Sequence, residues 1–141
     1  MRALGLDIGS VRVGVAVSDP AGSVASPLAV LDARELAANI QPLARIAEDY
    51  DAEVLVVGLP LTLGGDEGPQ ATSVRQIATD LAGRLGLPLA FVDERNSSAE
   101  ARRAMRAAGL SEREQRGQLD KVAAAIMLQA WLDAERGGVG R

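Results

Sequence analysis

Residues 3–19 read ALGLDIGSVRVGVAVSD, from Ala3 to Asp19. Leu4, Leu6 and Ile8 alternate with Ala3, Gly5 and Asp7. After Gly9-Ser10 the alternation resumes, with Val11, Val13, Val15 and Val17 against Arg12, Gly14, Ala16 and Ser18. Period two on both sides of a Gly-Ser pair predicts a β-hairpin. Asp is a poor strand former, yet Asp7 closes the first strand on the face that otherwise carries only small residues. One reading is that its charge is used by a metal ion, a phosphate-bound cation or an arginine. The other is a turn Asp bonding the backbone of Gly9 or Ser10. At this point both stay open.

Outward from the hairpin, Pro20-Ala21-Gly22 marks a turn and Leu28–Leu31 a third strand, which Pro27 predicts to lie at a sheet edge or to start late. Ala33–Tyr50 has helical spacing at Leu36, Ile40, Leu43, Ala47 and Tyr50. Pro42 must kink that helix or begin a second one. Glu53–Pro60 contains Val54-Leu55-Val56-Val57, a continuous apolar run expected of a strand buried on both faces. Leu61–Gly68 is a glycine-rich, mobile loop. Pro69–Leu85 is an amphipathic helix with Val74, Ile77, Ala78, Leu81 and Leu85 inward, stopped by Gly86. Pro88–Asp93 is a short strand. Ser97 and Glu100 form a capping box for a helix to about Ala108. Leu110–Gln118 is polar, a loop or short helix, and Leu119–Arg136 is the last helix. A three-strand antiparallel meander followed by βα units predicts an α/β fold: a five-stranded mixed sheet with helices on both faces. The expected organisation is one domain over residues 1–136 and a frayed tail over 137–141.

Composition narrows the chemistry. The chain of 141 residues contains no Cys and no His. Thiolate nucleophiles, imidazole bases, disulfides and Cys/His zinc sites are therefore excluded. A catalytic metal would need carboxylate ligands, which select Mg2+ or Mn2+. No apolar run is long enough for a bilayer and no signal peptide opens the chain, so the expected location is the cytoplasm, with no membrane partner. Net charge is −4, with fourteen Arg and one Lys. Between Arg95 and Lys121, seven basic residues face four acids, a local +3 that leaves −7 elsewhere. Such a region is a candidate polyanion site or simply a solvated helix face.

Two further acids are placed as oddly as Asp7. Asp93-Glu94-Arg95 directly follows the strand LAFV. Asp120 opens the expected last helix on the face of Ala123, Ala124, Met127 and Trp131, away from Lys121, Gln129, Asp133 and Arg136. A first-turn carboxylate gains from the helix dipole, but that does not explain its facing the core. Burying it unpaired would cost several kcal/mol, roughly, so a partner is required. A metal shared by Asp7, Glu94 and Asp120 would supply one. Three carboxylates of this kind can hold two hard cations for phosphodiester cleavage.

LGLDIGSVRVGVAVSD, VVGLP with its glycine-rich loop, VDERNSSAEA and LDKVAAAIMLQAWLD together resemble the four blocks of the YqgF/RuvX family, in the same order and over nearly the whole chain. The resemblance implies a ribonuclease H-like fold and a metal-dependent nuclease. Asp7, Glu94 and Asp120 would be both metal ligands and catalytic triad. It further implies nucleic acid as partner: precursor ribosomal RNA matured at the 5′ end of its 16S portion, with ribosomal particles nearby, or four-way DNA junctions, as in Holliday junction resolution. The first is favoured, and the protein would be a monomer or homodimer. Arg95, Ser97 and Ser98 stand at an expected helix N-terminus, where N–H groups and hydroxyls bind phosphate. Arg12 and the Leu61–Gly68 loop are expected to flank the same cleft. Asn96 replaces the usual Leu after the DER block, Ser97-Ser98 replaces a pair containing Thr, and Gly64-Gly65 replaces a common Asn- or Asp-containing turn. The Asp7–Ser10 turn also resembles the phosphate loop of the actin and sugar-kinase superfamily, whose members close two such domains over ATP. A non-catalytic binding module is the other competing reading, and Asp120 on an apolar face speaks against it.

Overall fold

The computed structural model describes residues 1–93, 103, 109 and 112–137, with side chains over 1–93, 103, 109 and 119–136. Strand β1 (Ala3–Ile8) turns through Gly9, Ser10 and Val11 into β2 (Arg12–Ser18). The Gly9 N–H donates to the Arg12 carbonyl at 2.9 Å and closes the hairpin. The antiparallel register sets Leu6 against Val15 and Asp7 against Gly14. Strand β3 (Ala25–Asp32) completes the meander on the far side of β2. It begins three residues before the expected Leu28 and runs through Pro27. The irregularity at Val15/Ala16, opposite Pro27, accommodates a residue with no N–H to donate on an edge strand.

The expected helix over Ala33–Tyr50 is two: α1 (Ala33–Ala38), capped by Asp32 through the Glu35 N–H at 2.9 Å, and α2 (Gln41–Asp49). Pro42 decides this. In a continuous helix its ring would strike the carbonyl of Ala38, where α1 ends, and at the first turn of α2 its missing N–H costs nothing. Strand β4 (Val54–Leu59) is fully buried and pairs parallel with β1. Helix α3 (Pro69–Leu85) has the expected bounds, and Gly86 ends it with a left-handed φ of 70°. Ile77 departs from the inward set and is 43% exposed. Strand β5 (Leu89–Asp93) pairs parallel with β4. The sheet order is β3-β2-β1-β4-β5.

The last helix, α4 (Glu112–Gly137), is longer than expected. The polar stretch Leu110–Gln118 reads as a loop or short helix, yet Glu112–Gln118 belongs to α4. Its Glu, Arg and Gln residues are good helix formers, and no proline interrupts them. Gly137 thus ends the helix instead of opening the tail. Of the expected helix over 97–108, only Arg103 is among the described residues, and it is helical. Alternation in β1 divides the core between two layers. Leu4, Leu6 and Ile8 pack with Leu36, Leu43, Val74 and Leu81 of α1–α3. On the other face Ala3 and Ala16 lie under Ala124, Met127 and Leu128 of α4. Gly5 admits that helix closely, since a Cβ there would be 3.0 Å from the Leu128 Cβ. Among the described residues, no helix is long and apolar enough to cross a membrane.

Candidate functional site

Strands β1, β4 and β5 are mutually parallel, so Ile8, Leu59 and Asp93 end at one edge of the sheet. The carboxyl edge of such strands is where open α/β sheets bind ligands. Asp7 is half-buried there, on the face beneath α4. Directly across from it, Gly14 brings the helix to the sheet: a Cβ on Gly14 would fall 2.0 Å from the Asp120 carbonyl oxygen. Asp7 and the main chain of Asp120 therefore border the same glycine, although they are far apart in sequence.

Asp120 does not open its helix. It lies two turns beyond Glu112, so the dipole at the N-terminus does not account for it. Ala123, Ala124 and Met127 on its face are buried as expected. Its partner is a protein cation: the Arg12 Nε donates to Asp120 Oδ2 at 2.7 Å. Arg12 sits two residues before Gly14 on β2 and shares its face. The side chains are 58% and 27% exposed, respectively, so the pair contributes about 1 kcal/mol or less to stability.

Sequence reasoning missed two residues here. Gly14 interrupts a Val-rich strand, a signal for close backbone approach. Gln129, expected on the polar side of the last helix, instead ties it to the turn before β3. Its Oε1 accepts from the Ala25 N–H at 2.8 Å and its Nε2 donates to the Ser23 carbonyl at 2.9 Å. That turn is itself organised by Asp19, whose Oδ1 accepts from the Ser23 and Val24 N–H groups. These bonds hold the Asp19 carboxyl below the usual carboxylate range.

The Leu61–Gly68 loop follows β4 at the same edge. It is a closed turn: the Gly65 N–H donates to the Thr62 carbonyl at 2.8 Å and the Thr62 N–H to the Asp66 carbonyl at 2.9 Å. Leu63 at its tip is 98% exposed. Glu67 pairs with Arg75 of α3, and the Arg75 guanidinium stacks 4.5 Å from the Phe91 ring. The Arg75 hydrogen bonds lower the Glu67 pKa, and Glu67 raises that of Arg75.

A groove of about 430 Å³ opens on the opposite face, between α1, α3 and the β1–β2 turn. It is mainly apolar, and its carboxylate, Asp80, pairs with Arg84 at 2.9 Å. Neither Asp7 nor Asp120 lines it. Among the described residues no three carboxylates gather, so a third ligand beside Asp7 and Asp120 would come from outside them. Glu94, Arg95, Ser97 and Ser98 all lie outside the described residues. Asp7 pairs in register with Gly14, and the Asp120 main chain lies over that glycine while its Oδ2 accepts from Arg12.

Several known proteins resemble this chain. A relative from Anaeromyxobacter sp. (strain K) is 47% identical over 133 residues, covering 94% of this chain and 97% of the relative. One from Moorella thermoacetica is 44% identical, covering 94% and 95%. Both carry the provisional name of pre-16S rRNA nuclease. Among solved structures, Thermus thermophilus RuvC in complex with a Holliday junction substrate superposes with a TM-score of 0.58 at 17% identity, covering 97% of each chain. The fowlpox virus resolvase, in complex with Holliday junction DNA, gives 0.58 at 12% identity, covering 96% of this chain and 99% of that one. These two likenesses establish the ribonuclease H-like fold. The family model described as "RuvX: Holliday junction resolvase" matches residues 1–134, and the chain belongs to that family.

Proposed function

We propose that this chain is a divalent-metal-dependent nuclease that hydrolyses phosphodiester bonds during 5′-end maturation of pre-16S ribosomal RNA. The observation that carries the reading is the meeting of Asp7 and the Asp120 backbone at Gly14, on the carboxyl edge of the sheet. The names of the relatives supply the RNA substrate. Nucleic acid is the partner, ribosomal particles are the setting, and the cytoplasm is the location.

Asp7 and Asp120 would hold Mg2+ or Mn2+, with Glu94 as third ligand. Glu94 follows Asp93 in the chain, and Asp93 ends β5 at the edge where β1 ends. Ions held there would supply water activation and charge stabilisation at the leaving oxygen. The protein's own part is positional. Asp7 is fixed by the β1–β2 ladder, and Asp120 by the contact of its main chain with Gly14. Arg12, Arg95, Ser97 and Ser98 grip the phosphodiester backbone, Arg95 and the serines at the expected helix N-terminus. With no imidazole in the chain, proton transfer rests on water and carboxylates.

The second reading, resolution of four-way DNA junctions, is favoured by the description of the family. It requires two sites acting on symmetric strands and hence a homodimer, whereas RNA trimming can proceed as a monomer. The decisive experiment incubates the protein with precursor 16S RNA and, in parallel, a four-way DNA junction, each with Mg2+ or Mn2+. Cleavage at the RNA 5′ end, with the junction intact, is expected. Paired symmetric nicks in the junction alone would establish resolvase activity instead, and no cleavage of either would overturn the nuclease reading.

A further inference from the structure

The Arg12–Asp120 pair engages one oxygen, Oδ2, of a carboxylate that the nuclease reading assigns to metal. A guanidinium and a divalent cation are like charges competing for one carboxylate, so each disfavours the other. Asp120 has little room to serve both by withdrawing, because its main chain rests on Gly14. The Arg12 backbone is likewise fixed, paired in register with Asp32 on β3 and accepting the Gly9 N–H. What can move is the arginine side chain, which is more than half exposed. A pair exposed to this degree is weak enough to exchange. The other natural partner of a guanidinium is a phosphodiester, which offers it the same paired oxygen acceptors as a carboxylate.

We infer that Arg12 is a positioning residue that couples substrate binding to metal loading: it covers Asp120 Oδ2 in the free protein and releases it when a nucleic-acid phosphate takes the guanidinium. The inference rests on the nuclease reading and adds regulation of that site. Metal and nucleic acid then bind with positive coupling. Because coupling is reciprocal, each ligand tightens the other by the same factor. The free protein binds metal weakly, which limits idle metal loading between substrates.

The test reads Arg12 directly. In the 15N–1H spectrum, its Nε–H resonance reports the bond to Asp120, with Asp120→Asn giving a reference for the altered pair. Titration with Mg2+ alone should move the Arg12 signal away from its free-protein position. Titration with a short phosphorothioate-linked RNA in chelator should do the same without metal. In parallel, Mn2+ affinity is measured by electron paramagnetic resonance. Arg12→Ala should bind Mn2+ about fivefold more tightly than wild type, in the range of ordinary site coupling. The added RNA should tighten Mn2+ binding less in this variant than in wild type. Arg12→Lys keeps the charge and should restore part of the coupling. Arg34, on α1 at the groove of the opposite face, is the control: Arg34→Ala removes the same charge there and should leave Mn2+ affinity unchanged. An Arg12 signal that stays in place at saturating Mg2+ would overturn the inference. So would an Arg12→Ala affinity within about twofold of wild type, against the coupling expected. Cleavage assayed on the same preparations separates the two readings. Cleavage without exchange sinks the coupling alone, and exchange without cleavage supports the coupling while sinking the nuclease.

Discussion

Gly14 and Asp120 meet main chain to main chain: the position of a Gly14 Cβ lies 2.0 Å from the Asp120 carbonyl oxygen and 2.4 Å from its carbon. Neither atom belongs to a side chain that could turn aside. Gly14→Ala must therefore lift α4 or bend β2. The expected loss is roughly 3 kcal/mol of stability, at the upper end for overpacking, together with weaker Mn2+ binding. Gly5→Ala, which meets the Leu128 side chain at 3.0 Å, should cost about 1 kcal/mol. Urea unfolding of both variants checks the order, and equal losses would mean that the helix yields as readily as a side chain.

Asp7→Asn keeps the shape of the side chain and removes its charge. Cleavage should fall at least about a hundredfold, since ligand loss disables the metal chemistry that carries the rate, while cooperative unfolding is retained. Chelator should abolish wild-type activity and added Mn2+ restore it. A variant as active as wild type, or full activity in chelator, would remove Asp7 and the metal from the mechanism.

Gln129 fastens α4 to the β2–β3 turn through the Ala25 N–H and the Ser23 carbonyl. Truncation to Ala leaves both groups to water or to nothing, at a cost of about 1 kcal/mol. Hydrogen exchange at Ala25 should quicken in this variant. An unchanged rate would show that the turn is held by Asp19 alone.

The glycine-rich loop carries an acid-sensitive tie. Glu67 has a lowered pKa in the folded protein because Arg75 bonds its carboxylate. A depressed folded pKa means that the contribution of the pair is complete above the ordinary Glu value of 4.5 and is lost as pH falls through the lower folded value. Phe91 lies under the same guanidinium, so its ring resonances should titrate with a midpoint below 4.5. Glu67→Gln should abolish that step. A midpoint at or above 4.5 would show that the pair does not form in solution.

Features encoded over a few neighbouring residues were legible in the chain itself. Period-two alternation determined the hairpin and which face of β1 carries Asp7. The run Val54–Val57 determined a strand buried on both faces, and Pro69 with Gly86 determined both ends of α3. The absence of His and Cys determined that any metal ligands are oxygens. Pro42 posed a choice between a kink and a new helix, and the structure took the new helix at Gln41. Tertiary structure decided the rest. The start of α4 was hidden because Glu112–Gln118 has helix propensity without an amphipathic stripe. The need for glycine at position 14 exists only because a helix from the other end of the chain lies over it. Asp120 pairs with Arg12, 108 residues away. Local pattern records which face a side chain occupies, but the group it meets there depends on how distant segments pack, and no short-range periodicity carries that information.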